Sequence, residues 1–198
     1  VLESDQLSRE WVFARLKPIL EDPSIKKNLF NDYFDEMMLW GDLGINLAGV
    51  QWDGLIAAHI LNENEQSHKL KDLYKKYLHE KEYNPDIRAL GVDTYEEQFG
   101  KIKFFRVPMN VATAYAAKDG YMTGRLKDFQ KPYIDSIGRL DEIYYNIEMP
   151  LLPILIEMRK EGIGVDLEFA HDLEVEMKEE RLKNENRLYE LLGNINLN

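Results

Sequence analysis

The chain contains no cysteine. That excludes disulfides and any zinc site built on thiolates, and it fits a reducing, cytoplasmic setting. No apolar run approaches the roughly 20 residues that a membrane-spanning helix requires, so no membrane partner is expected. Residues 1–10 are polar and carry no signal-peptide pattern, and no initiator methionine precedes them. The sequence therefore reads as a soluble stretch from within a longer gene product. Several chemistries are missing as well: there is no P-loop, no G-x-G-x-x-G, no H-E-x-x-H and no G-x-S-x-G. The four histidines (His59, His68, His79 and His171) show no metal-ligand spacing. Positive charge is in deficit: the net charge is −11 and the pI about 4.9. Composition alone thus argues against a dedicated nucleic-acid binder.

Apolar residues make up 44% of the 198 and aromatics 11%, which excludes a wholly disordered chain. The length suits one domain with a real core, or one domain with a helical extension. Two local basic stretches stand out against the acidic background. One holds His68, Lys69, Lys71, Lys75, Lys76 and His79; the other holds Lys101, Lys103 and Arg106. The first reads as a solvated helix face and the second as a charged loop. An acidic protein can still act on DNA if its carboxylates hold metals and its basic groups are local.

Hydrophobic spacing predicts mostly helices. Residues 8–20 form the first, ended by Asp22 and Pro23. Residues 25–30 read as extended, 32–40 as a helix closed by Gly41 and Gly44, and 45–50 as a strand. A helix over 53–61 has Asp53 as N-cap, and Ser67 caps the next. Residues 80–107 read as an irregular charged excursion, and a long helix over 108–129 opens with Pro108. Residues 134–160 read as nearly continuous helix, kinked or restarted by Pro150 and Pro153. Asp166 caps a last helix to Leu192, with Gly193 at its C-terminus. A domain boundary is expected near residue 135.

Two polar–carboxylate pairs fall at helical spacing, each on one helix face. Asn31 and Asp35 form one; Tyr115 and Asp119, in the run YAAKD, form the other. Taken alone, each pair is no more than solvated helix residues would give. Asn28 and Asp32 also satisfy N-x-x-x-D.

Order along the chain adds weight. The run IKKNLFNDYFD over residues 25–35 is followed by Gly44, Ile45 and Gly49, then by DGLIAAHIL over 53–61 and HKLKDL over 68–73. YAAKD comes next, and IEMPLLPIL over 147–155 precedes Gly162, Val165 and Asp166. This series resembles the proofreading 3′–5′ exonuclease domain of family A DNA polymerases, the DNA polymerase I type and its phage relatives. The runs at 25–35 and 115–119 resemble the second and third exonuclease motifs. Residues 53–61 are similar to the family's Asp-Thr-Met-Leu-Ala stretch, with Gly54 in place of threonine. The string at 147–155 resembles the start of the polymerase domain.

The resemblance implies an α/β ribonuclease H-like fold, N-terminally incomplete and so mostly α, followed by the long helices that open a polymerase domain. It divides the chain into an exonuclease part over 1–135 and a thumb-proximal part over 136–198. It further implies two-metal hydrolysis of a DNA 3′ end with Mg²⁺ or Mn²⁺ held by hard oxygen ligands. By the match, Asp119 binds a metal directly, Asp35 holds the second partly through water, Tyr115 orients the attacking water and Asn31 contacts the bound strand. Tyr33, Phe30 and Phe34 either offer apolar or stacking surface for unpaired bases or, the more ordinary role for such residues, pack in the core. The family's first motif, Asp-x-Glu on a strand, is expected upstream of Val1. Asp166 and Glu168 have its letters but lie at a helix cap. The chain alone is therefore expected to have little nuclease activity, to lack the polymerase motifs proper, and to self-associate or repack its exposed faces. Two other readings stand beside this one: a degenerate exonuclease serving as a structural platform, and a helical adaptor that binds a protein through residues 166–192.

Overall fold

The computed structural model describes residues 7–82, 85–89 and 91–193. Helix α1 (Arg9–Leu20) starts where Ser8 adopts an extended backbone and accepts a hydrogen bond from the Trp11 amide, satisfying one of the amides that a helix start leaves open. A parallel β–α–β unit follows, made of β1 (Lys27–Leu29), α2 (Asp32–Leu43) and β2 (Val50–Asp53). Asn28 pairs with Trp52 and Leu29 with Asp53, so the ends of both strands bring residues 29–32 and 53–54 together.

The expected strand over 45–50 begins only at Val50, and residues 44–49 are an irregular connection. Gly44 ends α2 in the left-handed region, and the Ile45 amide still bonds back to Leu39. Gly49 lies at φ +75°, where an added Cβ would stand 2.6 Å from the Ile25 carbonyl oxygen. Gly41, expected to close α2, lies inside it.

Asp53 caps α3 (Gly54–Leu61), as its position predicts. Helix α4 (Leu70–Tyr77) starts two residues later than a Ser67 cap would put it. The Ser67 hydroxyl is engaged elsewhere: it donates to Asp72 at 2.5 Å and accepts from the Lys69 amide. The 80–107 excursion is not structureless. It holds two short helices, α5 (Pro85–Ala89) and α6 (Tyr95–Phe99), the latter opened by a Thr94–Glu97 capping box. Residues 83, 84 and 90 of that stretch lie outside the described residues.

Helix α7 (Met109–Ser136) runs through Pro132 and seven residues beyond the expected end at 129. Its buried row, Met122, Leu126, Gln130 and Ile134, advances four residues at a time, the spacing of a helix ridge. Two core clusters flank that row. Ala58, Leu73, Tyr74, Met122 and Leu126 form one; Trp52, Ala57, Ile134 and Tyr144 form the other. The helix expected over 134–160 is interrupted: α7 stops at Ser136, and Gly138 takes φ +55°. Helix α8 (Leu140–Ile143) then passes through a π-helical stretch, Tyr144–Glu148, into α9 (Met149–Glu161). A π-turn takes in an extra residue, and here Tyr144 is the buried side chain within it.

The chain divides into two compact units between Lys160 and Glu161. The second contains α10 (Leu167–Leu192), capped by Asp166 through the Phe169 amide and ended by Gly193 at φ +77°. Leu167, Phe169 and Leu191 on this helix are exposed by 78%, 64% and 72%.

Candidate functional site

Asp53 organises the junction at the strand ends. Its Oδ1 accepts the Leu55 and Ile56 amides at 2.8 and 3.1 Å, while its Oδ2 accepts the Asp32 amide at 2.6 Å. One buried carboxylate therefore terminates both α2 and α3, where unpaired amides and helix dipoles favour an anion. Tyr144 holds the Asp53 backbone: its hydroxyl accepts from the amide at 2.8 Å and donates to the carbonyl at 3.2 Å. The Tyr144 ring lies 4.6 Å from that of Trp52, and Gln130 donates to the Gly54 carbonyl.

Asn31 sits beside this hub at φ 78°, the only non-glycine residue with positive φ among the described residues. Asparagine tolerates the left-handed region better than most side chains, and the strained turn aims the first turn of α2 inward. Its side chain makes no capping bond. Asp32 follows, 3% exposed, with Oδ1 buried and without a hydrogen-bond partner among the described residues. Burial, and then the charges of Glu36, Asp53 and Asp35, push the Asp32 carboxyl up to about 7. Burial, then Asp53, pushes Asp35 up to about 6. Glu36 is answered by Lys160 at 2.8 Å. The start of α2 thus carries an acidic patch in which burial and neighbouring charge favour the protonated forms of Asp32 and Asp35.

Tyr115 and Asp119 lie one turn apart on α7, as their spacing predicts. Lys71 of α4 stands against both. Its Nζ is 3.3 Å from Asp119 Oδ1 and 3.5 Å from the centre of the Tyr115 ring. Neither Lys71 Nζ nor Asp119 Oδ1 has an aligned hydrogen-bond partner among the described residues, so the pairing is electrostatic contact rather than a directed bond. Tyr95, Phe99 and Phe104 surround the Tyr115 ring at centroid separations of 6.0, 5.5 and 6.3 Å. The basic stretch read as a solvated face is exposed at Lys69, Lys75 and Lys76, the last also pairing with Glu65 at 2.6 Å, while Lys71 turns inward and is buried against Asp119. Lys101, Lys103 and Arg106 are exposed.

The structure thus brings Asn31 together with Asp35, and Tyr115 together with Asp119. It does not join the two pairs into a metal centre. Among the described residues no three of His, Cys, Asp and Glu converge to hold an ion. Both Asp53 oxygens serve backbone amides, and the cation beside Asp119 is an ammonium. The residues present do not by themselves fit a two-metal site. Asp32, Asp53, Lys71 and Tyr144 are the residues that spacing alone left without a site role. Asp32 was legible only as the second N-x-x-x-D match with Asn28, and nothing local marked the 91-residue contact between Tyr144 and Asp53.

A cleft of about 1370 Å³ lies between α2 and the α6–α7 connection. Phe34, Met38, Tyr95, Lys101, Lys103 and Phe104 are among its lining residues. Phe34 is 58% exposed, whereas Phe30 packs against the first core cluster.

Sequence comparison decides the family: the 3′–5′ exonuclease model matches residues 2–134. The chain belongs to the 3′–5′ exonuclease family of family A DNA polymerases. Relatives of this exonuclease chain include the DNA polymerase I of Pseudomonas aeruginosa, 29% identical over 96% of the chain and 20% of the relative. The DNA polymerase I of a Synechocystis species is 31% identical over 96% of the chain and 18% of its own length. The DNA polymerase of Escherichia phage T5 is 25% identical over 69% of the chain. The chain thus spans about a fifth of the length of the curated relatives it matches. In fold, it is similar to the POL domain of Pol1 from M. smegmatis, solved with DNA primer-template and dNTP. The TM-score is 0.64 at 24% identity, covering 99% of this chain and 30% of that one. The small parallel sheet clad in helices is accordingly an incomplete α/β exonuclease fold.

Proposed function

We propose that this chain is the later portion of a proofreading 3′–5′ exonuclease domain, joined to the start of a polymerase domain, in a DNA polymerase I-like enzyme. Its substrate is the single-stranded 3′ end of DNA on a primer-template, and its reaction is phosphodiester hydrolysis assisted by Mg²⁺ or Mn²⁺. The exonuclease part covers 1–135 and the polymerase part 136–198; the break at Gly138 supports a junction in that region. Asp119 and an acid at the head of α2 serve as metal ligands, with further carboxylates needed to complete a two-metal site. Tyr115 stands by the attacking water and Asn31 by the strand.

The observation that carries the metal role is the buried Asp32 Oδ1 at the head of α2, which has no hydrogen-bond partner among the described residues. Asp35 has the N-x-x-x-D register with Asn31, and Asp32 has it with Asn28. The deeper burial and unpartnered oxygen of Asp32 favour it as the principal ligand, with Asp35 beside it. The cleft lined by Phe34, Tyr95, Phe104 and two lysines supports binding of unpaired bases and their phosphates. The exposed apolar side chains of α10 support self-association of the isolated chain. Sedimentation should show mass rising with concentration; a constant monomer mass contradicts that point.

The test of the reading is to carry the chain inside the Pseudomonas aeruginosa polymerase in place of the matching segment. Mg²⁺-dependent shortening of single-stranded DNA should survive the exchange. An inert chimera beside an active parent would favour the platform reading.

A further inference from the structure

We propose that Lys160 is a positioning residue for the exonuclease site: from the stretch read as the start of the polymerase domain, it pins α2 and so places the acids at the head of that helix. The inference rests on the reading of the α2 head as part of the exonuclease site and adds the residue that holds it in place.

Helix α2 has little apolar packing to hold it. Its buried residues are both acids, Asp32 and Glu36, while Phe34, Met38 and Trp40 are exposed. No other described element packs extensively along it. Such a helix is placed by point ties rather than by an apolar face. One tie is at its start, where the Asp32 amide donates to Asp53 Oδ2 and Tyr144 grips the Asp53 backbone in turn. The other is Lys160, one turn further along. Its Nζ donates to Glu36 Oε1 at 2.8 Å and to Asn46 Oδ1, in the connection that leaves α2, at 3.2 Å. It also lies 5.9 Å from the centre of the Trp40 ring. A third bond, to Glu157 at 2.8 Å, steadies the ammonium on its own helix, α9.

Asp32, Glu36 and Trp40 stand at four-residue intervals and so form one ridge of α2. The Lys160 ammonium meets two of the three. An exposed ion pair holds little, but here the side chains of Lys160 and Glu36 are only 8% and 10% exposed. Removing one partner of so buried a pair strands the other charge away from water. Lys160 and Tyr144 both belong to the 136–160 stretch, which lies in one compact unit with α2. Two ties from that stretch therefore reach the same helix, one through Asp53 to Asp32 and one directly to Glu36. Loss of Lys160 leaves the helix free to shift about its remaining tie. A displacement of about 1 Å in a site side chain is enough to slow a reaction about 100-fold. Proofreading in this chain thus depends on residues beyond the expected boundary at 135.

The first measurement is amide hydrogen exchange on the full chain. Lys160→Met should speed exchange across residues 33–43 of α2 by about tenfold or more, while α3 and α7 keep wild-type rates. Lys160→Arg, which keeps the cation, should exchange as the wild type does. The second measurement is single-stranded DNA shortening by the polymerase chimera. Lys160→Met should lower its rate by about tenfold or more with DNA synthesis unchanged, and Lys160→Arg should stay within about threefold of the parent. Glu36→Met should lower the rate by a similar factor, and Lys160→Met with Glu36→Met no further, because both changes break one tie. Unchanged exchange in α2, or exchange raised throughout the chain, overturns the inference. So does a rate loss that Lys160→Arg shares, or losses that multiply in the double variant. A parental rate in Lys160→Met beside a slow Asp32→Asn chimera sinks the positioning role alone. A parental rate in Asp32→Asn sinks the reading of the α2 head itself.

Discussion

Three backbone amides from two helix starts converge on the buried Asp53 carboxylate. Asp53→Ala removes both caps and leaves amides unpaired in the interior, which should cost about 2–4 kcal/mol. Urea unfolding measures this, and a loss below about 1 kcal/mol would show the junction is held some other way. Asp32 behaves in the opposite sense. Its carboxyl titrates near 7 in the fold against 3.8 for the free group, so the folded chain keeps a proton that the unfolded chain releases. The associated stability is complete below about pH 4 and declines as pH rises to 7. Asp32→Asn should therefore be neutral for stability at pH 4 and stabilising by on the order of 2 kcal/mol above pH 7. Thermal melts at the two pH values compare them. Equal effects would mean that the acidic patch is not strained. Stability gained on removing a carboxylate is the usual mark of a functional group held against its own interest.

Elements announced by a local device were legible in the sequence. Asp53, Asp166 and the Asp22–Pro23 stop each act through neighbours two or three residues away, and α1, α3 and α10 fall where these residues put them. Elements decided by distant packing were not. The strand at β2 starts late because Gly49 must let its backbone pass close to Pro23 and Ile25, a contact that no periodicity reveals. Helix α7 outruns its expected end because Gln130 and Ile134 bury against α3 and Tyr144, which outweighs Pro132. The same division holds for the site: the i, i+4 pairs were readable, while Lys71 and Tyr144 reach theirs from 48 and 91 residues away. Gly49→Ala tests the argument at this scale. It would force a Cβ into 2.6 Å of a carbonyl oxygen at a left-handed φ, costing about 2 kcal/mol or more. Chemical unfolding of the variant gives the value, and a wild-type midpoint would mean the turn can rearrange freely.

Across the whole molecule, charge explains how a chain of net −11 can belong to a DNA-processing family. Among its 36 acids, Asp32, Asp35, Glu36 and Asp53 gather near the head of α2, and Asp119 sits against Lys71. The exposed Lys101, Lys103 and Arg106 lie together on the α6–α7 connection, and the two lysines border the cleft. On the proposed function, this gathering of acids and the local basic rim are what a metal-assisted nuclease would use. The measurement that tests this account most directly is single-stranded DNA shortening by the polymerase chimera carrying Asp119→Ala or Asp32→Asn. The account predicts a fall of about 100-fold or more in Mg²⁺-dependent rate for each variant, with DNA synthesis retained. Undiminished 3′–5′ shortening in both would contradict it.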